Sequence, residues 1–114
     1  MPLGAQASCD QRAQTQAELT RCARESAASA QSRLTELLGE LRTALEPEHF
    51  KALEQVQTTW LTFARNHCRW NGGFYEGGSL QPMVLADCMA MLTEQRIVEL
   101  KKYRCGKPSP PGDC

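Results

Sequence analysis

Several features that identify common protein classes are absent from this 114-residue sequence. No apolar run approaches the roughly 18 residues that span a bilayer, and no segment shows the alternating pattern of a β-strand. Neither sign of charge is in excess, since 13 Lys and Arg residues balance 13 Asp and Glu residues. The balance also holds locally, with five charges of each sign in residues 9–45 and four of each in residues 68–103. We therefore expect no transmembrane segment, no sheet and no nucleic-acid partner.

Signatures of catalysis and metal binding are missing as well. There is no C-x-x-C pair, which removes the common zinc and thiol oxidoreductase motifs. Ser79 follows two glycines, but the sequence around it is not a nucleophile elbow and no histidine is placed to activate it. His49 and His67 are isolated from other metal ligands along the sequence. We therefore expect no catalytic residue, no metal, no cofactor and no enzymatic activity.

What the chain does contain is six cysteines at wide spacings. An even number of cysteines in a small chain indicates a disulfide framework and an oxidising compartment. Six cysteines allow fifteen pairings, and each bridge would add about 2–4 kcal/mol of stability. We favour the pairs that are neighbours in sequence, which are Cys9–Cys22, Cys68–Cys88 and Cys105–Cys114.

The first eight residues are interpreted as a targeting remnant. Ala5-Gln6-Ala7 has the A-x-A form of a signal-peptidase site, so we expect that a signal peptide has been removed and that Met1 was added for expression. Cys9 then has two possible uses, in a disulfide or as a lipidated cysteine. Gln6-Ala7-Ser8 makes a weak lipobox, so the disulfide is favoured.

Apolar residues at steps of three and four predict three helices. The first begins at a capping box, Thr15 to Glu18, and extends for about 30 residues. The second begins at Pro47 and is expected to end near His67. A glycine-rich segment, residues 68–79, is expected to exclude helix and form a loop. The third helix follows with Ser79 as its N-cap.

These elements predict an all-α fold, a disulfide-stapled three-helix bundle with a Gly-rich loop between helices two and three. The junction between helices one and two is short, so these two helices should be antiparallel. Trp60 and Phe63 fall in the apolar stripe of helix two and are assigned to the core. The domain should cover residues 9–105, and the Pro/Gly-rich residues 106–114 should form a C-terminal tail.

The glycine-rich loop is the candidate binding site. It carries Trp70, Phe74 and Tyr75, followed by Glu76. Aromatic side chains on a loop held between rigid helices are typical of an interface hot spot, and Glu76 would face a basic or catalytic group of the partner. In the alternative, Trp70 folds back over the Cys68–Cys88 bridge and the glycines only form the turn.

A fixed order of motifs runs through residues 9–103. It joins four cysteines to a capping box, a tryptophan and a glycine turn. The residues concerned are Cys9, Thr15-Gln16-Ala17-Glu18-Leu19, Cys22-Ala23, Leu34, Leu41, Trp60, Phe63, Cys68, Gly77-Gly78-Ser79, Pro82, Cys88, Leu92-Thr93, Arg96 and Leu100. This pattern resembles the LprI-like lysozyme-inhibitor family of bacterial secreted and lipid-anchored proteins. Ala64-Arg65 departs from the family's usual arginine–aspartate pair, Met89 replaces a leucine, and the Cys105–Cys114 tail is an addition.

The resemblance implies a helical domain in the bacterial envelope, periplasmic or secreted, that binds a protein target. It implies an inhibitor that occludes an enzyme's active site, with lysozyme or another cell-wall hydrolase as the first target to test. The alternative is an immunity protein that neutralises a secreted antibacterial toxin, such as a peptidase. A third hypothesis is an envelope structural or stress protein. The sequence does not specify an oligomeric state.

Overall fold

Three long helices make up most of the protein. A computed structural model describes residues 9–114, and the residues 1–8 that we interpreted as a targeting remnant lie outside this range. The all-α prediction is confirmed, since the described residues contain no strand. The helices are α1 (Gln16–Ala44), α2 (Pro47–Gly72) and α3 (Gln81–Leu100), with 3-10 turns at Gly73–Tyr75 and Lys101–Tyr103 and a helical turn at residues 9–12.

The predicted capping box starts α1, with one change. Thr15 Oγ1 accepts a hydrogen bond from the backbone N–H of Glu18 at 3.1 Å, as expected. The Glu18 carboxylate accepts in return from the backbone N–H of Gln14 at 3.4 Å, whereas a standard capping box would use the N–H of Thr15. Pro47 lies in the first turn of α2, where its missing N–H removes no helical hydrogen bond.

Helix α2 continues past His67 to Gly72, so the prediction that glycines exclude helix from residue 68 is wrong. Gly72 (φ −65°, ψ −20°) and Gly73 (φ −61°, ψ −27°) both adopt helical dihedrals. Gly72 serves close packing, because a Cβ there would lie only 2.7 Å from Leu85 Cδ2 of α3. The glycine therefore lets two helices approach, and Trp70 becomes part of the last helical turn.

The turn into α3 also differs from the prediction. Gly77 takes a positive φ of 79°, which suits a residue without a Cβ. Leu80, and not Ser79, precedes the first helical residue, and no side chain caps the helix. The predicted Ser79 cap is therefore wrong. The helix instead begins with Pro82 in its first turn.

Helix α3 is the main packing partner of both other helices, which touch each other little. Helix α3 is parallel to α1, because Gln16 contacts Met83 and Arg33 pairs with Glu94 further along both helices. It is antiparallel to α2, because Cys68 is bonded to Cys88 whereas the earlier Gln57 contacts the later Arg96. Helices α1 and α2 are therefore antiparallel, as predicted. The arrangement is long and flat, with extents of 47 × 28 × 19 Å.

The apolar core lies near the α1–α2 junction. Its buried members are Leu34, Leu37, Leu41, Leu45, Phe50, Ile97 and Leu100. Burial of one such side chain contributes about 1.5–3 kcal/mol. In the first half of α1 the buried residues are small, among them Ala23 and Ala30, so they permit close helix packing.

Three disulfides add covalent links to this small core. They join the pairs that the sequence favours, Cys9–Cys22, Cys68–Cys88 and Cys105–Cys114. The first ties the turn at residues 9–12 to α1, the second joins α2 to α3, and the third closes the C-terminal tail. The end of α2 is therefore fixed to α3 by a bond as well as by packing.

Candidate partner-binding surface

A row of aromatic side chains lies on the outer face of α2 and continues into the turn that follows. Phe63, His67, Trp70 and Phe74 are neighbours in this row, with successive ring centroids 5.7, 5.8 and 5.5 Å apart. We call these four residues the aromatic ridge. Phe63, Trp70 and Phe74 are 55%, 63% and 72% exposed. A contiguous exposed patch of this kind is typical of an interaction site.

Two of the four predicted binding residues belong to the aromatic ridge. Trp70 and Phe74 meet edge to face, a favourable geometry for aromatic pairs. Tyr75 and Glu76 follow directly, and both are exposed. Trp70 does not fold back over the Cys68–Cys88 bridge, because most of its surface faces solvent. Binding of a partner by these residues stays a prediction.

Two ridge residues, Phe63 and His67, were not predicted as part of the site. The assignment of Phe63 to the core is wrong, because its neighbour Ala64 is the residue that α2 buries. Successive helical residues point roughly 100° apart, so Phe63 turns toward solvent. Residues 63, 67, 70 and 74 are spaced as neighbours on one face of a helix. This spacing would have indicated the row of rings if α2 had been predicted to extend to Gly72.

Trp60 lies about one helical turn before Phe63 on α2, and its assignment to the core is only partly right. It packs against the core but is half-buried. The Arg96 guanidinium lies over its ring, 5.9 Å from the centroid. Arg96 is itself buried, donates from Nε to Gln57 Oε1 at 3.0 Å and pairs with Glu99 at 3.1 Å. The contacts of Arg96 with Trp60 and Gln57 link α3 to α2 near Phe63, the first residue of the ridge.

Two concave surfaces adjoin Trp60. A shallow cavity of about 450 Å³ is lined by Val56, Phe63 and Arg96, among others, and so borders the aromatic ridge. On the other side, α1 and α2 diverge and leave an open groove of about 580 Å³. The apolar residues of that groove are Leu34, Leu38, Phe50, Trp60 and Leu61. The protein therefore offers both a projecting row of rings and hollows beside it.

The carboxyl groups with shifted pKa values, Glu94 and Asp87, lie on α3 outside the aromatic ridge. A hydrogen bond from Arg33 of α1 lowers the pKa of Glu94 of α3. Burial, followed by the charge of Asp10, raises the pKa of Asp87. Within residues 9–114 no group of three or more His, Cys, Asp or Glu side chains could hold a metal ion.

Comparison with known proteins assigns the family. A protein family described as lysozyme inhibitor LprI matches residues 8–100, which is most of the chain. The chain belongs to this family. The match includes all three helices, the aromatic ridge and four of the six cysteines, and it ends before the Cys105–Cys114 tail. Membership in an inhibitor family implies a protein target and argues against enzymatic activity.

One curated relative is similar in sequence, but its name describes no function. An uncharacterized protein of Rhizobium meliloti (strain 1021) is 36% identical over 52 residues, which cover 46% of this chain and 37% of that protein. The match thus spans little more than a third of the relative's length. No solved structure gives a significant match. None of the described helices combines the length and apolar character needed to cross a bilayer.

Proposed function

We propose that this LprI-family protein inhibits lysozyme or another cell-wall hydrolase by placing the aromatic ridge over the enzyme's active-site cleft. The observation that carries the proposal is the exposure of Phe63, Trp70 and Phe74 side by side in a member of an inhibitor family. Large aromatic side chains that are desolvated on binding supply most of the energy in many interfaces.

The position of the aromatic ridge suits insertion into a cleft. It lies on a helix whose last turn is held by Cys68–Cys88 and by the close approach of Gly72 to α3. A preorganised surface loses little conformational entropy on binding, which improves affinity. Tyr75 and Glu76 follow Phe74 directly and are exposed, and the Glu76 carboxylate would meet a basic or catalytic group of the enzyme.

The charge pattern predicts how the complex would form. The segment that carries the aromatic ridge, residues 63–76, holds only two basic residues and one acidic residue, so long-range attraction should contribute little and the association rate should respond weakly to salt. Apolar burial at the aromatic ridge would then provide most of the affinity. The site of action would be the periplasm or the outside of the cell, where the three disulfides remain oxidised.

An inhibition titration tests the proposal. Wild-type protein should inhibit a susceptible lysozyme at a stoichiometric ratio, and the variant W70A/F74A/Y75A/E76A should lose inhibition while keeping its helical circular dichroism. Met91 and Val98 offer a matched control, since they are exposed apolar residues of α3 outside the ridge. The variant M91A/V98A should inhibit normally. Full inhibition by the quadruple variant would refute a role for these residues.

Affinity capture identifies the target class if the panel of lysozymes is not inhibited. The oxidised protein would be immobilised and exposed to cell-wall hydrolases and to a secreted antibacterial toxin, with mass spectrometry as the readout. Specific capture of the toxin would replace the hydrolase proposal with an immunity function. Retention of envelope structural proteins alone would favour a structural role.

A further inference from the structure

The neutral total charge of the chain conceals a separation of charge along its length. Residues 1–100 contain nine basic and twelve acidic residues, whereas residues 101–114 contain four basic residues and one acidic residue. Three of the four lysines in the chain, Lys101, Lys102 and Lys107, lie in this last segment. The segment follows the part of the chain that matches the LprI family.

The fold places two of these lysines and Arg104 around one cavity, and Lys107 lies in the tail segment that closes it. Lys101, Lys102 and Arg104 line a hollow of about 110 Å³ that is closed on the other side by Ser109, Pro110, Pro111, Gly112 and the cystine Cys105–Cys114. The backbone N–H of Ser109 donates to the Lys102 carbonyl at 2.8 Å and folds the tail back over the end of α3. We call this arrangement the basic loop.

The position of the basic loop is fixed against α1. Arg104 donates from Nε to Glu40 Oε2 at 3.0 Å. Gly106 has a φ of 84°, and a Cβ at this position would lie 2.7 Å from the Ala44 carbonyl oxygen, so only glycine fits between the tail and the end of α1. The loop is therefore part of the folded domain at the end where α1 meets α2.

Two of the four cations of the basic loop have an acidic neighbour, Arg104 in its pair with Glu40 and Lys101 through its charge near Glu94, whereas Lys102 and Lys107 have none in residues 9–114. Among the ion pairs of residues 9–114, none involves Lys101, Lys102 or Lys107. Arg104 pairs through Nε, which leaves its terminal N–H groups for another acceptor. All four side chains belong to exposed residues. Several ammonium and guanidinium groups around one hollow favour phosphate oxygens as ligands.

We propose that the basic loop binds the phosphate groups of anionic lipid headgroups and places this end of the protein on a membrane surface. Residues 106–114 carry no large apolar side chain, so attachment would be electrostatic and would not require insertion. Contact through one end of a 47 Å molecule keeps most of the acidic remainder beyond the Debye length of about 8 Å at physiological salt.

Binding to a membrane through the basic loop would orient the protein and its aromatic ridge relative to the lipid surface. Trp70 lies 23 residues along α2 from Pro47, and a helix rises 1.5 Å per residue, so the aromatic ridge stands roughly 35 Å from the α1–α2 junction. A protein held by its basic loop would present the ridge away from the lipid, toward soluble enzymes. Lipid binding and enzyme inhibition use different residues and can fail independently.

Vesicle sedimentation provides the test. The full chain is mixed with neutral phosphatidylcholine vesicles or with vesicles that also contain phosphatidylglycerol, and the bound fraction is measured against lipid concentration. Each cation near an anionic surface strengthens binding about fivefold, so K101Q/K102Q/K107Q should lower the partition coefficient on anionic vesicles about 100-fold. High salt should release the wild-type protein.

The matched control removes the same charge elsewhere. The variant R24Q/K51Q/R65Q changes three exposed residues that have no ion pair, and it should bind anionic vesicles much more tightly than the loop variant does. Equal losses in the two variants, or equal binding of wild-type protein to neutral and anionic vesicles, would overturn the proposal.

A second arm separates lipid phosphate from free phosphate. Amide chemical shifts of Lys101 and Lys102 are followed during titration with low-millimolar inorganic phosphate, which should leave them almost unchanged because a single anion engages only part of the loop. Saturation in this range would identify a small-anion site and would overturn the membrane assignment. Inhibition of a soluble hydrolase by K101Q/K102Q/K107Q should equal that of the wild type.

Discussion

Removal of the Cys68–Cys88 bridge should destabilise this protein more than removal of the Cys105–Cys114 bridge. The loop-closure model gives similar entropic contributions for the two, because the sequence separations are 20 and 9 and the dependence on separation is logarithmic. The resulting values are about 3.3 and 2.6 kcal/mol. Entropy alone therefore predicts a difference below about 1 kcal/mol.

The tertiary structure predicts a larger difference. Cys68 and Cys88 are buried, at 2% and 5% exposure, where the bridge fastens α2 to α3. Loss of these sulfur atoms leaves unfilled volume between the helices, which adds roughly 1 kcal/mol. We expect C68A/C88A to lower the free energy of unfolding by about 4 kcal/mol. Residues 107–114, which follow the contact of Gly106 with α1, can detach without exposing the core, so C105S/C114S should cost less than about 1 kcal/mol.

Urea denaturation followed by circular dichroism measures both values. A free-thiol titration of unreduced wild-type protein, which should find no open sulfhydryl, establishes the starting state. Losses within about 1 kcal/mol of each other would show that loop closure alone sets the effect. A loss below about 1 kcal/mol for C68A/C88A would refute the reasoning that this bridge secures the end of α2.

Two further substitutions test the core and the α1–α3 contact. Leu41→Ala removes a fully buried core side chain and should lower the free energy of unfolding by about 2–5 kcal/mol. As a control, Val98→Ala on the exposed face of α3 should change it by less than about 0.5 kcal/mol. Similar losses for the two variants in a thermal melt would contradict the assigned core. In the wild type, the hydrogen bond from Arg33 lowers the pKa of Glu94 from its usual 4.5. The substitution Glu94→Gln removes the carboxylate that accepts this bond. Because the folded pKa is the lower one, the ion pair stabilises the protein above about pH 4.5 and this contribution disappears as the pH falls through the folded pKa. The difference from wild type should be below about 1 kcal/mol at neutral pH and should shrink in acid, and a difference that does not change with pH would contradict it.

Local rules predicted most of the fold. The capping box at Thr15 and the proline at position 47 start their helices where expected, because each supplies or avoids a hydrogen bond at a helix end. Apolar residues at steps of three and four predicted α1, and Leu34, Leu37 and Leu41 of that pattern are buried. Glycine was the least reliable signal, because its conformational freedom does not reveal which conformation the surrounding structure selects. Gly72 continues the helix, and the absence of a Cβ there makes room for Leu85 of α3.

The candidate site was only half predictable. Trp70 and Phe74 stand out as aromatic residues near glycines, but periodicity assigns Phe63 to the same stripe as buried residues. A helical stripe can be wider than the surface that a neighbouring helix covers. Helix α3 covers the side of α2 that carries Ala64 and Cys68 and leaves Phe63 in solvent, and no pattern within α2 states where α3 will lie.

The sequence by itself determined that this protein is helical and that its cysteines serve as cross-links, because helix caps, apolar periodicity and cysteine number are local properties of the chain. Its likeness to an inhibitor family came from the order of its motifs, which resembles that family's pattern. The tertiary structure alone decided that α3 lies between two diverging helices, that four aromatic rings form one row on the outer face of α2 and that Lys101, Lys102 and Arg104 line a single hollow. Each of these arrangements depends on which surfaces distant segments cover, and burial of that kind is a property of the packed chain.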